Sequence, residues 1–277
     1  MSQASSDLAN RRAEIDRIDR EMQHLLQARA KVVQGVLRAK KAATAAGEVT
    51  PPFRPGREAE VLRGLLERHD GDFPPASLLR IWREIISGAT RIQAVQRIAV
   101  VGRGGAEWDL ARDHFGLGAE YDVAADCGAA FGLLRRQAVA AAVLAMPAAE
   151  GPGAWWRSLL TDGSPEGAPQ IVARLPFFRA GTEGGALVLT PFAPDASSRD
   201  RSVLGLALDD AASAGAVMGA LESAGLKLAN APLLADTHAL AEVEGLVAAD
   251  APALAQLAAT PGVVDMRVLG GYAVPLA

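Results

Sequence analysis

IDRIDREMQHLLQARAKVVQGVL, residues 15–37, places apolar side chains at Ile15, Ile18, Met22, Leu25, Leu26, Val32, Val33, Val36 and Leu37. Spacings of three and four put them on one stripe along an amphipathic helix predicted to run for about eight turns. Gly47 and Thr50-Pro51-Pro52 close that region. A second helix is expected from about Arg57 through Val61, Leu62, Leu65 and Leu66 to the turn Gly71-Asp72-Phe73-Pro74-Pro75. A third is expected on Leu78, Leu79, Ile81, Trp82, Ile85 and Ile86. One long and two short helices make an all-α block.

Working outward, the composition changes near residue 95. Arg11 to Gln93 is dense in Arg, Lys and Glu, whereas Ala, Gly, Leu and Val dominate beyond. Arg97 to Gly102 reads as a buried strand entering a Gly turn and then a helix to about Phe115, with further strands at 139–144 and 170–173. From Val203 onward the order is strand, helix (211–224), strand (226–234), strand (239–247), helix (251–258), strand (263–269), the βαββαβ order of ferredoxin-like modules. The expected organisation is therefore multidomain: a helical block at 1–95, a small α/β segment at 96–198 and an α+β module at 199–277.

With 277 residues and a net charge of -4 from 28 basic and 32 acidic side chains, bulk charge gives no reason to expect a nucleic-acid or anionic-membrane partner. Cys127 is the single cysteine and cannot form an internal disulfide. The polar first ten residues lack the apolar centre of a secretory signal and no stretch is long enough to span a bilayer, so a cytoplasmic protein is expected. His114 and His238 stand without ligand spacing, so no metal is assigned. Gly102-Arg103-Gly104-Gly105 fails as a dinucleotide turn because its third glycine is replaced by Glu107, so no cofactor is assigned either.

Candidate chemistry lies in the helical block. Arg29 and Lys40 are eleven residues apart, about three turns and about 16 Å, and leave the long helix on one face, where both can reach one small anion. Arg12 lies about 25 Å from Arg29, too far for both to hold one small molecule in one subunit. Any shared site would take Arg12 from a partner chain.

Residues 8–93 resemble the helical chorismate mutases, in particular the mutase module fused ahead of prephenate dehydratase in bacterial bifunctional enzymes. The resemblance rests on Arg12-x-x-Ile15-x-x-x-Asp19, Leu25-Leu26-x-x-Arg29, Ala39-Lys40, Arg57-Glu58-x-x-Val61-Leu62 and Ile85-Ile86 followed by Gln93. It implies an intertwined helical homodimer in which Arg29 and Arg57, with Arg12 of the second protomer, bind the two carboxylates of chorismate. It further implies that Lys40 and Gln93 face the ether oxygen and that Glu58 accepts from the ring hydroxyl. Rearrangement to prephenate moves no proton and builds negative charge on the departing oxygen, so fixed donors and an anion clamp suffice, without metal, cofactor or covalent step. Arginine suits the carboxylates because its planar fork binds both oxygens. Two positions depart from the family pattern: Arg54 stands where an Asp can occur, and Ala89 where a Ser can occur.

The middle segment resembles the first lobe of prephenate dehydratase at about half that domain's length. Met146-Pro147-Ala148-Ala149-Glu150 stands where that family has an Asn-Ser pair after Pro, and Ala173-Arg174-Leu175 where it has its catalytic Thr-Arg-Phe. Loss of dehydratase activity is expected. Trp155 and Trp156 are expected as core or interface aromatics rather than a ligand platform. The last segment resembles an ACT domain through Gly215-Ala216-Val217 and Val268-Leu269-Gly270-Gly271-Tyr272, with Pro232-Leu233-Leu234-Ala235 in place of the phenylalanine-binding signature. The alternatives left open are a bifunctional mutase/dehydratase and a non-catalytic regulatory protein derived from it.

Overall fold

The computed structural model describes residues 3–45, 51–102, 104–161, 168–178 and 184–276. They fall into two compact units: residues 1–52 with 88–94, and residues 53–87 with 95–277.

The first unit is dominated by α1, Gln3–Ala45, 43 residues long. It exceeds the expected eight turns because Ala, Arg, Lys and Gln at its ends are strong helix formers that extend it beyond the apolar stripe. That stripe faces outward in the single chain: Leu8, Ile15, Ile18, Met22, Leu25, Leu26, Val32 and Val36 are 42–70% exposed. The other member of this unit is the last turn and a half of α3, Pro75–Gln93.

The second unit begins with α2, Pro55–Glu67, where Pro at the first turn supplies a preset φ. Leu62 of α2 packs against Leu79 and Ile86 of α3, joined by Trp82 and by Phe177 and Phe178. Next come β1 (Arg97–Val101), α4 (Ala106–Phe115), β2 (Glu120–Ala124), α5 (Cys127–Arg135) and β3 (Ala141–Ala145). A 3-10 turn, α6 (Trp156–Thr161), β4 (Gln170–Leu175) and β5 (Ala186–Thr190) follow. The last stretch is β6 (Asp200–Leu208), α7 (Ala214–Ser223), β7 (Leu233–Ala235), β8 (His238–Glu244), α8 (Pro252–Ala258) and β9 (Val263–Ala273).

All nine strands join one sheet in the order β2-β1-β3-β5-β4-β9-β6-β8-β7. β1 runs parallel to β2 and β3, while β5 is antiparallel to β3 and β4. At the far end β9-β6-β8-β7 are all antiparallel. The seam is a parallel pairing of Ile171 with Gly270. Gly270 has φ +128 and an added Cβ would meet the Ile171 backbone, so only glycine lets the strands approach there.

Trp156 is fully buried, with its indole N–H donating to Ala148 O at 2.9 Å, and Trp155 donates to Ala145 O at 3.0 Å; both lie in the core between sheet and helices. The strand expected over 226–234 is reduced to Leu233–Ala235, with Leu228 bridging Val243 alone. Pro232 removes a ladder donor and Asn230 instead donates to Glu242. The long final strand continues through Gly270-Gly271, a pair that reads as a turn in isolation.

Candidate functional site

α1 presents Arg12 and Arg29 as exposed side chains, with Lys40 half-buried. Lys40 Nζ donates to Pro51 O at 3.0 Å. In the same unit Gln93, on the last turn of α3, donates from Nε2 to Ala89 O at 3.3 Å. Its Oε1 is buried and has no hydrogen-bond partner among the described residues. Arg57 and Glu58 lie in the other unit, on the first turn of α2. Neighbours on a helix point about 100° apart, and they part accordingly: Arg57 is exposed and Glu58 buried.

Glu58 is held by a residue that sequence reasoning missed. Arg83 Nη1 donates to Glu58 Oε2, with the two side chains 12% and 10% exposed. Burial raises the Glu58 carboxyl above its ordinary value, and the Arg83 charge and hydrogen bond oppose that rise. Buried charges need such pairing because neither can keep its water shell. The Arg83 guanidinium also sits 5.9 Å from the centre of the Phe177 ring.

The α2 start is likewise completed from afar. Arg54 at its N-cap makes no side-chain cap bond. Instead the Asp195 carboxylate accepts from Gly56 N at 2.9 Å and Arg57 N at 3.0 Å, with Arg54 Nε 3.4 Å away. Gly56 is required here, since a Cβ would strike the Asp195 carbonyl. Nearly two turns on, buried Arg63 donates to Ser197 Oγ at 2.9 Å, Arg199 O at 3.0 Å and Val274 O at 2.9 Å. Glu60 accepts from Ser198 N at 2.6 Å. No local signal links α2 to residues 195–199; only the arginine at position 63, on the apolar side of an amphipathic helix, hints that it needs buried acceptors.

Other polar groups gather on the sheet. Arg174 donates to the Tyr272 hydroxyl at 3.3 Å, and both Arg174 and Arg201 face Glu242, at 3.8 and 3.4 Å. Burial, then the Glu242 charge, pushes the Tyr272 phenol up to about 12. Among the described residues no group of three or more His, Cys, Asp or Glu is arranged to hold a metal ion. No helix among them is long and apolar enough to cross a membrane.

The architecture is thus a helical N-terminal segment followed by a mixed α/β sheet unit. Residues 11–94 match the protein family described as chorismate mutase type II. Curated relatives agree with that assignment of the segment. A bifunctional chorismate mutase/prephenate dehydratase from Stutzerimonas stutzeri is 33% identical over 106 residues, 38% of this chain and 29% of that protein. The protein of the same description from Aquifex aeolicus is 33% identical over 120 residues, 42% of this chain and 32% of its own length. The chain thus matches about a third of the length of these relatives. Solved structures similar to it include prephenate dehydratase from Streptococcus mutans, 17% identical, covering 65% of this chain and 99% of that one with a TM-score of 0.46. Another, described as GqqA, a novel type of quorum quenching acylase, is 21% identical, covering 65% of this chain and 95% of that one at a TM-score of 0.46.

Proposed function

We propose that this protein rearranges chorismate to prephenate in phenylalanine and tyrosine biosynthesis. The carrying observation is the family match over residues 11–94, a span that contains Arg12, Arg29, Lys40, Arg57, Glu58 and Gln93 in order. In this reading Arg29, Arg57 and Arg12 of a second protomer clamp the two carboxylates. Lys40 and Gln93 meet the ether oxygen as its charge develops, and Glu58 takes the ring hydroxyl.

The homodimer belongs to the same reading. A 43-residue helix with eight exposed large apolar side chains is not stable as a lone surface, and a second copy laid along it would remove that stripe from water. The module limits at 95 and 198, an ACT-like role for 199–277, a cytoplasmic setting and the loss of dehydratase activity complete the proposal. Ala173 offers no hydroxyl where the dehydratase pattern has one. The antiparallel order β9-β6-β8-β7 supports the ACT-like assignment through its ferredoxin-like arrangement.

One observation favours a second reading, a non-catalytic regulatory protein: the Glu58 carboxylate is already occupied by Arg83. Incubating the purified protein with chorismate and separating the products decides between them. Prephenate alone supports the mutase; phenylpyruvate supports retained dehydratase chemistry; unchanged chorismate refutes both enzymatic readings. Given turnover, Lys40→Ala should lower kcat by about two orders of magnitude, the scale of a lost oxyanion donor.

A further inference from the structure

The ion pair between α2 and α3 lies entirely within the second unit and follows from no helical periodicity. Glu58 stands on the first turn of α2 and Arg83 two turns into α3, and Arg83 Nη1 donates to Glu58 Oε2. Their side chains keep only 10% and 12% of their surface. The guanidinium is braced in turn by the Phe177 ring, whose main-chain carbonyl accepts from Leu276 N at 2.7 Å. Among the described residues two charges bear on the Glu58 carboxyl: Arg83 from α3, and Asp195 from the segment before β6. His114 of α4 is neutral, through burial and then the Arg83 charge.

A pair this buried is a poor source of stability. Desolvation of the two charges offsets most of their attraction, so apolar side chains of similar size would join α2 to α3 as well. What the pair supplies, and apolar side chains do not, is an anionic acceptor. Arg83 engages one oxygen, and a carboxylate offers about four lone-pair sites on two oxygens, so room for a further donor remains. Burial and the Asp195 charge favour the protonated carboxyl, whereas the Arg83 charge and hydrogen bond favour the anion. Without Arg83, no charge among the described residues opposes protonation.

We propose that Arg83 is a positioning residue for the mutase reaction: it counters the Glu58 charge and takes one carboxylate oxygen, leaving the other to accept the ring hydroxyl of chorismate. Arg83 thereby joins the six residues of the mutase reading, on which this role rests. It touches no substrate and acts through Glu58. The contact between Arg83 and Glu58 then readies the acceptor rather than blocking it. A charged acceptor makes a hydrogen bond about twice as strong as a neutral one, so protonation of Glu58 should lower kcat/KM by about tenfold.

The test is the pH profile of kcat/KM for chorismate, which reports groups of the free enzyme, measured on the full chain and its variants. In Arg83→Met the acid limb should move up by about one pH unit or more, a tenfold change in proton affinity from losing a close countercharge. Arg83→Lys keeps a cation and should return the limb towards its parent position. Glu58→Gln should erase the limb that moves, and adding Arg83→Met to it should shift nothing further. A merely structural role would lower activity equally at every pH. An unmoved limb in Arg83→Met, a limb that Arg83→Lys leaves equally high, or a shift that persists in Glu58→Gln would overturn the role. Should Arg83→Met not melt cooperatively, Arg83→Gln, which keeps a donor and loses the charge, must still raise the limb. A parent chain that leaves chorismate unchanged ends the mutase reading and this role with it, whereas turnover with an unmoved limb ends the role alone.

Discussion

Asp195→Ala tests how α2 is held. The carboxylate caps the amides of Gly56 and Arg57, and Gly56 is buried, so truncation leaves a donor that water does not reach readily. Loss of an N-cap costs about 1 kcal/mol, and bonds to a charged acceptor run at about 1.5–3 kcal/mol each. The Arg54 partner is half-exposed and adds little. The cap is itself 20% exposed, and rearranged water recovers part of the loss, so a net effect of about 2 kcal/mol is expected. That corresponds to about 30-fold faster amide exchange through local opening of the first turn. Arg63 still anchors the helix nearly two turns further on, so the effect should be graded along α2, strongest at 56–60 and weak by Glu67. Hydrogen exchange followed by mass spectrometry reads this directly. Asp195→Asn, which keeps one acceptor but not the charge, should fall between. Unchanged exchange over 55–60 in Asp195→Ala, or a uniform increase across the sheet, would refute the capping role.

Arg63→Met should lower the urea midpoint by an amount equal to about 3 kcal/mol, because the carbonyls of Arg199 and Val274 lose their buried donor. Gly270→Ala should cost at least as much, since its Cβ enters the Ile171 backbone at positive φ; a thermal shift of only 1–2 °C, the scale of a few tenths of a kcal/mol, would contradict the close strand approach at that seam. His114 makes stability depend on pH. Its folded pKa is depressed, so the unfolded chain binds the proton more readily, and stability is full above the ordinary imidazole value near 6.5 and declines as pH falls towards the folded value. Denaturant titrations between pH 7.5 and 5 should show this slope in the parent chain and lose it in His114→Phe, and equal slopes would be inconsistent with a buried neutral imidazole.

The three helices were legible because apolar spacings of three and four are local. The turn ending in Pro74-Pro75 marks the close of the second helix just as locally, whereas its start, expected near Arg57, lies at Pro55. β1 was legible as an unbroken apolar run between a charged helix and a glycine. β2 was not, because Glu120-Tyr121-Asp122-Val123-Ala124 is an edge strand paired on one side only, mostly outside the core, where Glu and Asp are tolerated. β5 escaped notice for the opposite reason: Ala186–Thr190 is buried at all five positions and so lacks alternation. Helical geometry alone put Arg29 and Lys40 on one face of α1, while their roles and that of Arg12 came from the resemblance. Arg83 could not, since what makes it distinctive is a buried partner 25 residues earlier on another helix.

The arrangement of α2 has a consequence for any chemistry at Arg57 and Glu58. Its sequence pattern lies within the 11–94 family match, yet its cap, its Arg63 clamp and its partner for Glu60 all come from residues 195–199 and Val274. A helix of 13 residues has little intrinsic stability, so these bonds decide where its first turn stands. The 195–199 segment leads directly into β6, the strand at the centre of the antiparallel end of the sheet. The Asp195 carboxylate therefore ties the backbone of Arg57 to the segment that enters β6.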